Sequence, residues 1–237
     1  MDIKTVMGTV RAFYEQRPRE AERFVNAVAD FLLENRDDPA IVDPGVGRYV
    51  PYLHNIWTTN ALPEIVDGRL FISEALINSF IGTSIRESES FKSVKSVDIN
   101  CYGSGVIDCM VEHSLGRFLI RAEIAEWVHD NRKSCVVFCI NDKKVMSGNT
   151  LQKMITGAIM TLVNNFLLKD LNRTLRNGVK LIYGEDVLTV DFSGAVAASD
   201  FLQRSIGDRR LCQLVGIQKA VVLDGGIELS LKYNVPV

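Results

Sequence analysis

The segment from Asn149 to Arg176 constrains the fold of this chain more than any other part of the sequence. Its apolar residues recur at helical spacing, which predicts one helix of about 27 residues, roughly 40 Å long. Its main apolar face comprises Met154, Ile155, Ala158, Ile159, Leu162, Phe166 and Leu167, and Met160, Val163 and Leu168 lie off that face. So wide an apolar surface needs a cover, which a sheet, another subunit or an apolar ligand can provide.

Composition excludes several classes of protein. The 237 residues are 47% hydrophobic and 24% charged with a net charge of −2, which is typical of one large soluble domain. No basic field is present to attract nucleic acid or an anionic membrane surface. The predicted long helix is interrupted by polar residues, so we expect no membrane span. The polar residues are Lys153, Thr156, Thr161, Asn164 and Asn165.

The five cysteines do not have the spacing of a disulfide framework. Cys135 and Cys139 fall on one face of a predicted strand, about 13 Å apart, which is too far for a disulfide. The cysteines are therefore expected to be free thiols in a reducing compartment. Charges near the N-terminus also break up any signal-peptide core, so the sequence predicts a cytoplasmic protein.

Residues 1–63 differ from the rest of the chain. Helices are predicted from Ile3 to Glu15 and from Arg19 to Asn35, with Pro18 between them. An irregular but packed segment is predicted from Pro39 to Pro63, either covering the main core or docking a partner. The apolar face of the second helix is predicted from Ala21, Phe24, Val25, Val28, Phe31 and Leu32. We expect this helical and proline-rich segment to pack on a second unit, residues 64–237.

From Gly68 onward the pattern indicates an α+β fold with an antiparallel sheet, because strand signals come in hairpins and meanders. Ser73 is predicted to cap a helix from Glu74 to Ile81, closed by Gly82. A short helix is also predicted from Ser199 or Asp200 to Ile206. Strands are predicted over 94–101, 106–112, 117–127, 134–140, 179–183, 187–192, 215–223 and 227–233. The predicted fold is a curved sheet packed on the long helix.

The sequence contains no motif that identifies a catalytic or metal site. His54, His113 and His129 lack metal-ligand spacing, and Ser104, between two glycines, lacks the full nucleophile-elbow pattern. We therefore predict no catalytic residue, no metal and no cofactor. An enzyme with a site assembled from distant residues around His113 or His129 stays open as a third hypothesis.

The order of elements resembles that of tubular lipid-binding (TULIP-like) domains of uncharacterised bacterial families. Gly68 to Asn78 (GRLFISEALIN) resembles their strand-into-helix opening, and a meander, the long helix and Gly178 to Asp191 follow in the same order. The resemblance covers Gly68 to Asn234. It implies a curved sheet wrapped around long helices, with acyl chains held between them.

Two functions follow as hypotheses. The first is non-enzymatic binding of a lipid or other apolar small molecule between the long helix and the sheet. The second is a structural or interaction protein that uses the apolar surface of the long helix, along Met160, Val163 and Leu168, to form a homodimer or dock a partner. The predicted ligand-binding residues are Leu76, Phe80, Met154, Ile155, Ile159, Leu162 and Phe166.

Overall fold

The chain begins with a run of helices in the computed structural model, which describes residues 3–87, 92–114, 116–130, 133–146, 173–174, 178–200, 202–206 and 209–234. The first two predicted helices are confirmed, with small shifts at their ends. The prediction of an irregular segment from Pro39 to Pro63 is wrong, because three short helices occupy most of it. The helices are α1 (Ile3–Gln16), α2 (Pro18–Glu34), α3 (Pro44–Gly47), α4 (Val50–Thr59) and α5 (Leu62–Val66).

Prolines explain why these short helices were not predicted. Pro44 is the first residue of α3, and Pro51 and Pro63 lie in the first turns of α4 and α5. A proline there loses no helical hydrogen bond, since the first N–H groups of a helix have no partner within it, and its fixed φ suits the helix. These prolines start helices instead of breaking them.

A large antiparallel sheet and further short helices follow, so the α+β class is confirmed. Among the described helices that follow Gly68, α6 is the longest, and it begins after the predicted cap, where Leu76 N donates to Ser73 Oγ at 3.3 Å. It continues through Gly82, beyond the predicted end at Ile81. The elements are β1 (Arg69–Ser73), α6 (Glu74–Glu87), β2 (Val94–Cys101), β3 (Val106–His113), β4 (Gly116–His129), β5 (Ser134–Val145), β6 (Arg173–Thr174), β7 (Lys180–Gly184), β8 (Val187–Asp191), α7 (Ser193–Ala198), β9 (Ser205–Ile206), β10 (Arg209–Arg210), α8 (Leu211–Leu214), β11 (Val215–Leu223) and β12 (Gly226–Tyr233).

The sheet branches at β4. The first half of β4 pairs with β3, and its last residue, His129, pairs with Ile217 of β11. One arm is therefore β3–β2, and the other is β11–β12–β1. On the opposite side of β4 the order continues through β5, β8, β7 and β6, and every pairing is antiparallel.

Two asparagine side chains satisfy the open edges of the two arms. Asn60, which follows α4, donates to Phe71 O at 2.8 Å and accepts from Phe71 N at 2.5 Å at the edge of β1. Asn78 of α6 binds both backbone groups of Ile99 in β2 in the same way, at 2.9 and 2.6 Å. At this one residue of each edge strand, the amide makes the two hydrogen bonds that a neighbouring strand would otherwise make.

Both arms contribute to one hydrophobic core. Cys101 and Ile107 come from the β2–β3 arm, and Val222, Ile227 and Leu229 come from β11 and β12. Side chains of β1, β4, β5 and α6 pack against this cluster. The core therefore lies between the arms and beneath α6.

The predicted long helix, Asn149 to Arg176, lies almost entirely outside the described residues. Two of its residues are described: Arg173 and Thr174 form β6, paired with Leu181 and Lys180 of β7. The prediction of helix at these two positions is wrong, because they add a strand to the sheet.

The helix predicted from Ser199 or Asp200 to Ile206 is also wrong. Ser199 starts a single turn, in which Gln203 N donates to Ser199 O at 3.0 Å. The side-chain amide of Gln203 donates to Val196 O at 2.8 Å. Ser205–Ile206 then pair as β9 with β10. The local strand pairing replaces further helix.

Candidate interaction surface

The apolar residues of helix α2 span one wide arc, and packing covers only part of it. Val25, Ala29 and Leu33 recur every four residues along one edge of the arc and are half-buried, and Ala21, in the first turn, is 2% exposed. The exposed part of the arc, here called the α2 outer face, comprises Phe24 (65% exposed), Val28 (41%), Phe31 (52%) and Leu32 (37%). Residues at this spacing share one side of a helix, so they form a continuous apolar surface.

The outer face points away from α4, the neighbour of α2. The contact with α4 includes a hydrogen bond of 2.8 Å between Asp30 Oδ1 and His54 Nε2. Asn26 of α2 and Trp57 of α4 line the same cleft. Asp30 and Asn26 are each two positions from Val28, about 160–200° around the helix at 100° per residue. Helix α4 therefore packs on the opposite side of α2.

Exposed apolar residues are concentrated in the N-terminal helices. Nine of the fifteen exposed large apolar side chains found among the described residues lie between Phe13 and Trp57. Single exposed apolar residues are ordinary on protein surfaces, whereas a cluster on one helix marks a site of interaction. The α2 outer face is the densest part of this cluster.

Charge is distributed unevenly along α2 and its flanks. Residues 17–25 contain three arginines and two glutamates, which leaves one positive charge. Residues 30–38 contain four carboxylates and one arginine, which leaves three negative charges. The apolar face is thus bordered by a weakly basic end and a strongly acidic end.

Of the seven residues predicted to bind an apolar ligand, the structure describes two, so this site stays a prediction. Leu76 is buried, and Phe80 is 48% exposed with its ring edge-on to Tyr52, the ring centroids 5.4 Å apart. The other five, Met154, Ile155, Ile159, Leu162 and Phe166, lie outside the described residues.

The histidine near the end of β4 holds three segments together. His129 Nδ1 lies 2.5 Å from Ser134 Oγ, and His129 Nε2 lies 3.0 Å from the carbonyl oxygen of Cys212. A serine–histidine pair suggests a nucleophile, but Ser134 is 3% exposed and out of a substrate's reach. The pair joins β4, β5 and α8.

A second polar cluster fixes the β7–β8 hairpin. Lys143 Nζ donates to Asp186 Oδ1 at 2.5 Å and also bonds the hydroxyl of Tyr183. The hydrogen bond from Lys143 lowers the pKa of Asp186. Glu185 and Asp186 both have positive φ, the conformation required by a tight hairpin turn, so the ion pair stabilises that turn.

Two of the described thiols are not activated, and the described residues offer no metal cluster. Burial raises the pKa of Cys101 and that of Cys109 to about 11, so both thiols stay protonated at neutral pH. Within the described ranges, no group of three or more histidine, cysteine, aspartate or glutamate side chains could hold a metal ion. In the same part of the chain, no helix has the length and apolar content needed to cross a membrane.

The sequence contained a signal for the outer face. The predicted apolar face of α2 joined Ala21 and Val25, which packing covers, to Phe24, Val28 and Phe31, which stand exposed. An apolar arc wider than one packing contact needs is the same signal that drew attention to residues 149–176.

Comparison with known proteins gives no relative on which to base a function. A scan against protein-family models found no match, and searches of curated proteins and of solved structures found none either. The functional argument therefore rests on the surface described above.

Proposed function

We propose that this chain is a non-enzymatic interaction protein that self-associates through the α2 outer face. One observation carries the proposal: four large apolar side chains on one helix face stand 37–65% exposed. Removing such a surface from water is favourable by about 25 cal/mol per Å². This assigns to α2 the homodimer role predicted for the long helix.

The charges of α2 favour a second copy in antiparallel orientation. In a two-fold arrangement centred near Val28, the weakly basic end of one α2 lies against the strongly acidic end of the other. A parallel arrangement would place two acidic ends together. The dipoles of two antiparallel helices also attract each other, so the side-chain charges and the helix dipoles favour the same arrangement.

The size of the surface predicts a weak dimer. The exposed areas of the four side chains sum to roughly 350 Å² per copy, less than half the ~800 Å² per partner of a standard interface. Polar flanks must supply the rest. We therefore expect a dissociation constant in the micromolar range.

Sedimentation velocity tests the proposal. The chain should shift from monomer to dimer between about 1 µM and about 300 µM. The double variant Phe24→Gln/Phe31→Gln should stay monomeric throughout, because glutamine removes apolar area without changing charge. Tyr102→Gln, an exposed aromatic on the β2–β3 turn, serves as the matched control and should dimerise normally. Dimerisation of the double variant with unchanged affinity would contradict the proposal.

A second candidate function, binding of a lipid or other apolar ligand against the sheet, is favoured by one buried atom. The indole Nε1 of Trp127 in β4 is buried and has no hydrogen-bond partner in the part of the chain that the structure describes. A buried donor without a partner is rare, and a ligand oxygen would satisfy it. Native mass spectrometry should then find a bound molecule that Trp127→Phe weakens. A chain that is repeatedly purified without any ligand would contradict this function.

A further inference from the structure

A cleft lies between α2 and the α4–α5 connection, and no residue of the α2 outer face is among its described lining residues. Its volume is about 210 Å³, enough for a small organic group. No lysine, arginine or histidine is among its described lining residues. The lining residues are Glu22, Val25, Asn26, Trp57, Thr58, Thr59, Asn60, Ala61, Leu62 and Ile65.

Most polar side chains of the cleft already have partners. Thr58 Oγ1 donates to His54 O at 2.9 Å, and Thr59 Oγ1 donates to Asn55 O at 2.7 Å. The amide of Asn60 is bound to β1. The side chains of Glu22 and Asn26 therefore remain as the polar groups that can meet a ligand.

Glu22 carries a negative charge that no described cation neutralises. It forms no ion pair among the described residues, and its described polar contact is the hydroxyl of Tyr14. Desolvation and the nearby Glu22 carboxylate raise the pKa of Tyr14. The tyrosine therefore stays a neutral hydrogen-bond donor to this carboxylate.

Two further features of the cleft also favour positive charge. Helix α4 ends at Thr59, and the carbonyl end of a helix carries partial negative charge that attracts cations. The indole of Trp57 forms part of the wall, and the face of a tryptophan ring is the best aromatic partner for a cation. Val25, Leu62 and Ile65 can receive an alkyl chain attached to the charged group.

We propose that the α2–α4 cleft binds an organic cation, an alkylammonium or guanidinium group. Glu22 provides the counter-charge, Trp57 the ring face, and the apolar wall packs the alkyl portion. The same chemistry belongs to a free amine and to a lysine or arginine side chain of a partner. This inference does not rest on self-association, since the outer face lies elsewhere on α2.

Titrations followed by tryptophan fluorescence test the cleft, because Trp57 forms one wall. The probes are n-butylammonium chloride, the neutral isostere n-butanol, and an acetylated and amidated Gly-Gly-Lys-Gly-Gly peptide, all at matched ionic strength. Saturable binding of both cationic probes indicates that the charged group with its alkyl chain is enough for binding, whether it belongs to a free amine or to a lysine side chain. Binding of the peptide alone identifies a partner side chain as the source. Failure of both to bind, or equal binding of n-butanol, overturns the proposal.

Charge variants on α2 locate the site. Glu22→Gln keeps the shape of the side chain and should weaken binding of the cationic probes at least about tenfold, as expected for loss of a charge-assisted contact. Glu34→Gln, on the same helix and outside the cleft, should leave binding unchanged. An equal effect of the two substitutions would show that general charge, and not the cleft, attracts the probe.

Discussion

Asn60 joins the N-terminal helices to the sheet. Its side chain is 7% exposed and binds Ile56 O as well as both backbone groups of Phe71. Asn60→Ala leaves the N–H and the carbonyl of Phe71 without these partners in a partly buried setting, at about 1–3 kcal/mol for each, whereas Ile56 O keeps its bond from the backbone N–H of residue 60. We expect the free energy of unfolding to fall by roughly 2–4 kcal/mol in urea denaturation. Asn55→Ala, on the exposed side of α4, is the control, and an equal loss there would contradict this role.

The pair of Asp108 and Arg121 predicts how stability depends on pH. Arg121 donates to both carboxylate oxygens of Asp108, at 2.7 and 2.8 Å, and these hydrogen bonds lower the pKa of Asp108 against the effect of desolvation. A lowered pKa gives stability that is present above the unfolded-state value of about 3.9 and is lost as pH falls through the folded-state value.

The stability difference between the wild type and Asp108→Asn should therefore be constant above about pH 5 and shrink in more acidic solution. Urea denaturation at a series of pH values measures it. Arg121→Gln should remove the same pH dependence. A difference that grows as pH falls would contradict the assigned sign.

At this scale the sequence indicates residue types but not partners. Asn60 and Asn78 look like ordinary loop and helix asparagines, because nothing local shows that a strand edge lies beside them. The pairing of Asp108 with Arg121 likewise depends on the register of β3 against β4, which a hairpin pattern alone does not determine.

At the scale of elements, local turn chemistry made the hairpins predictable. Asp224 and Gly225 join β11 to β12, and the predicted Gly184–Asp186 turn joins β7 to β8. The helices α4 and α5 were missed because each is too short to show clear periodicity and has a proline in its first turn. Residues 199–206 were predicted as helix because Ser199 resembles a cap, but the chain makes one turn there and then pairs as β9 with β10.

A covered and an exposed position of α2 predict different results for the same substitution. Ala21 is buried and Ala27 is exposed on the same helix. Ala21→Asp places a charge without a partner in the interior and should lower the free energy of unfolding by at least about 2 kcal/mol. Ala27→Asp should change it by less than about 1 kcal/mol. Thermal or urea denaturation measures both, and equal losses would mean that α2 is packed on both sides.

At the scale of the whole molecule, composition and strand spacing predicted the α+β class and the antiparallel sheet. The branching at β4 was not predictable, since it depends on the pairing of His129 with Ile217, residues far apart in the sequence. The predicted helix over residues 149–176 stays a prediction outside the described residues, apart from the two that form β6. The surface proposed to act lies instead on α2, where packing covers part of the apolar arc and leaves the rest exposed.

Disulfide trapping at the centre of the proposed interface tests self-association most directly. With helix axes about 8–10 Å apart, the two copies of residue 28 meet at the two-fold axis, within the ~4.4–6.8 Å between Cα atoms that a disulfide spans. Under mild oxidation Val28→Cys should form a covalent dimer, with peptide mapping locating the bond between the two introduced cysteines. Asn26→Cys, on the cleft side of the helix, should remain monomeric. Equal trapping of the two variants, or a Val28→Cys chain that stays monomeric at concentrations well above the micromolar range, would contradict self-association through the α2 outer face.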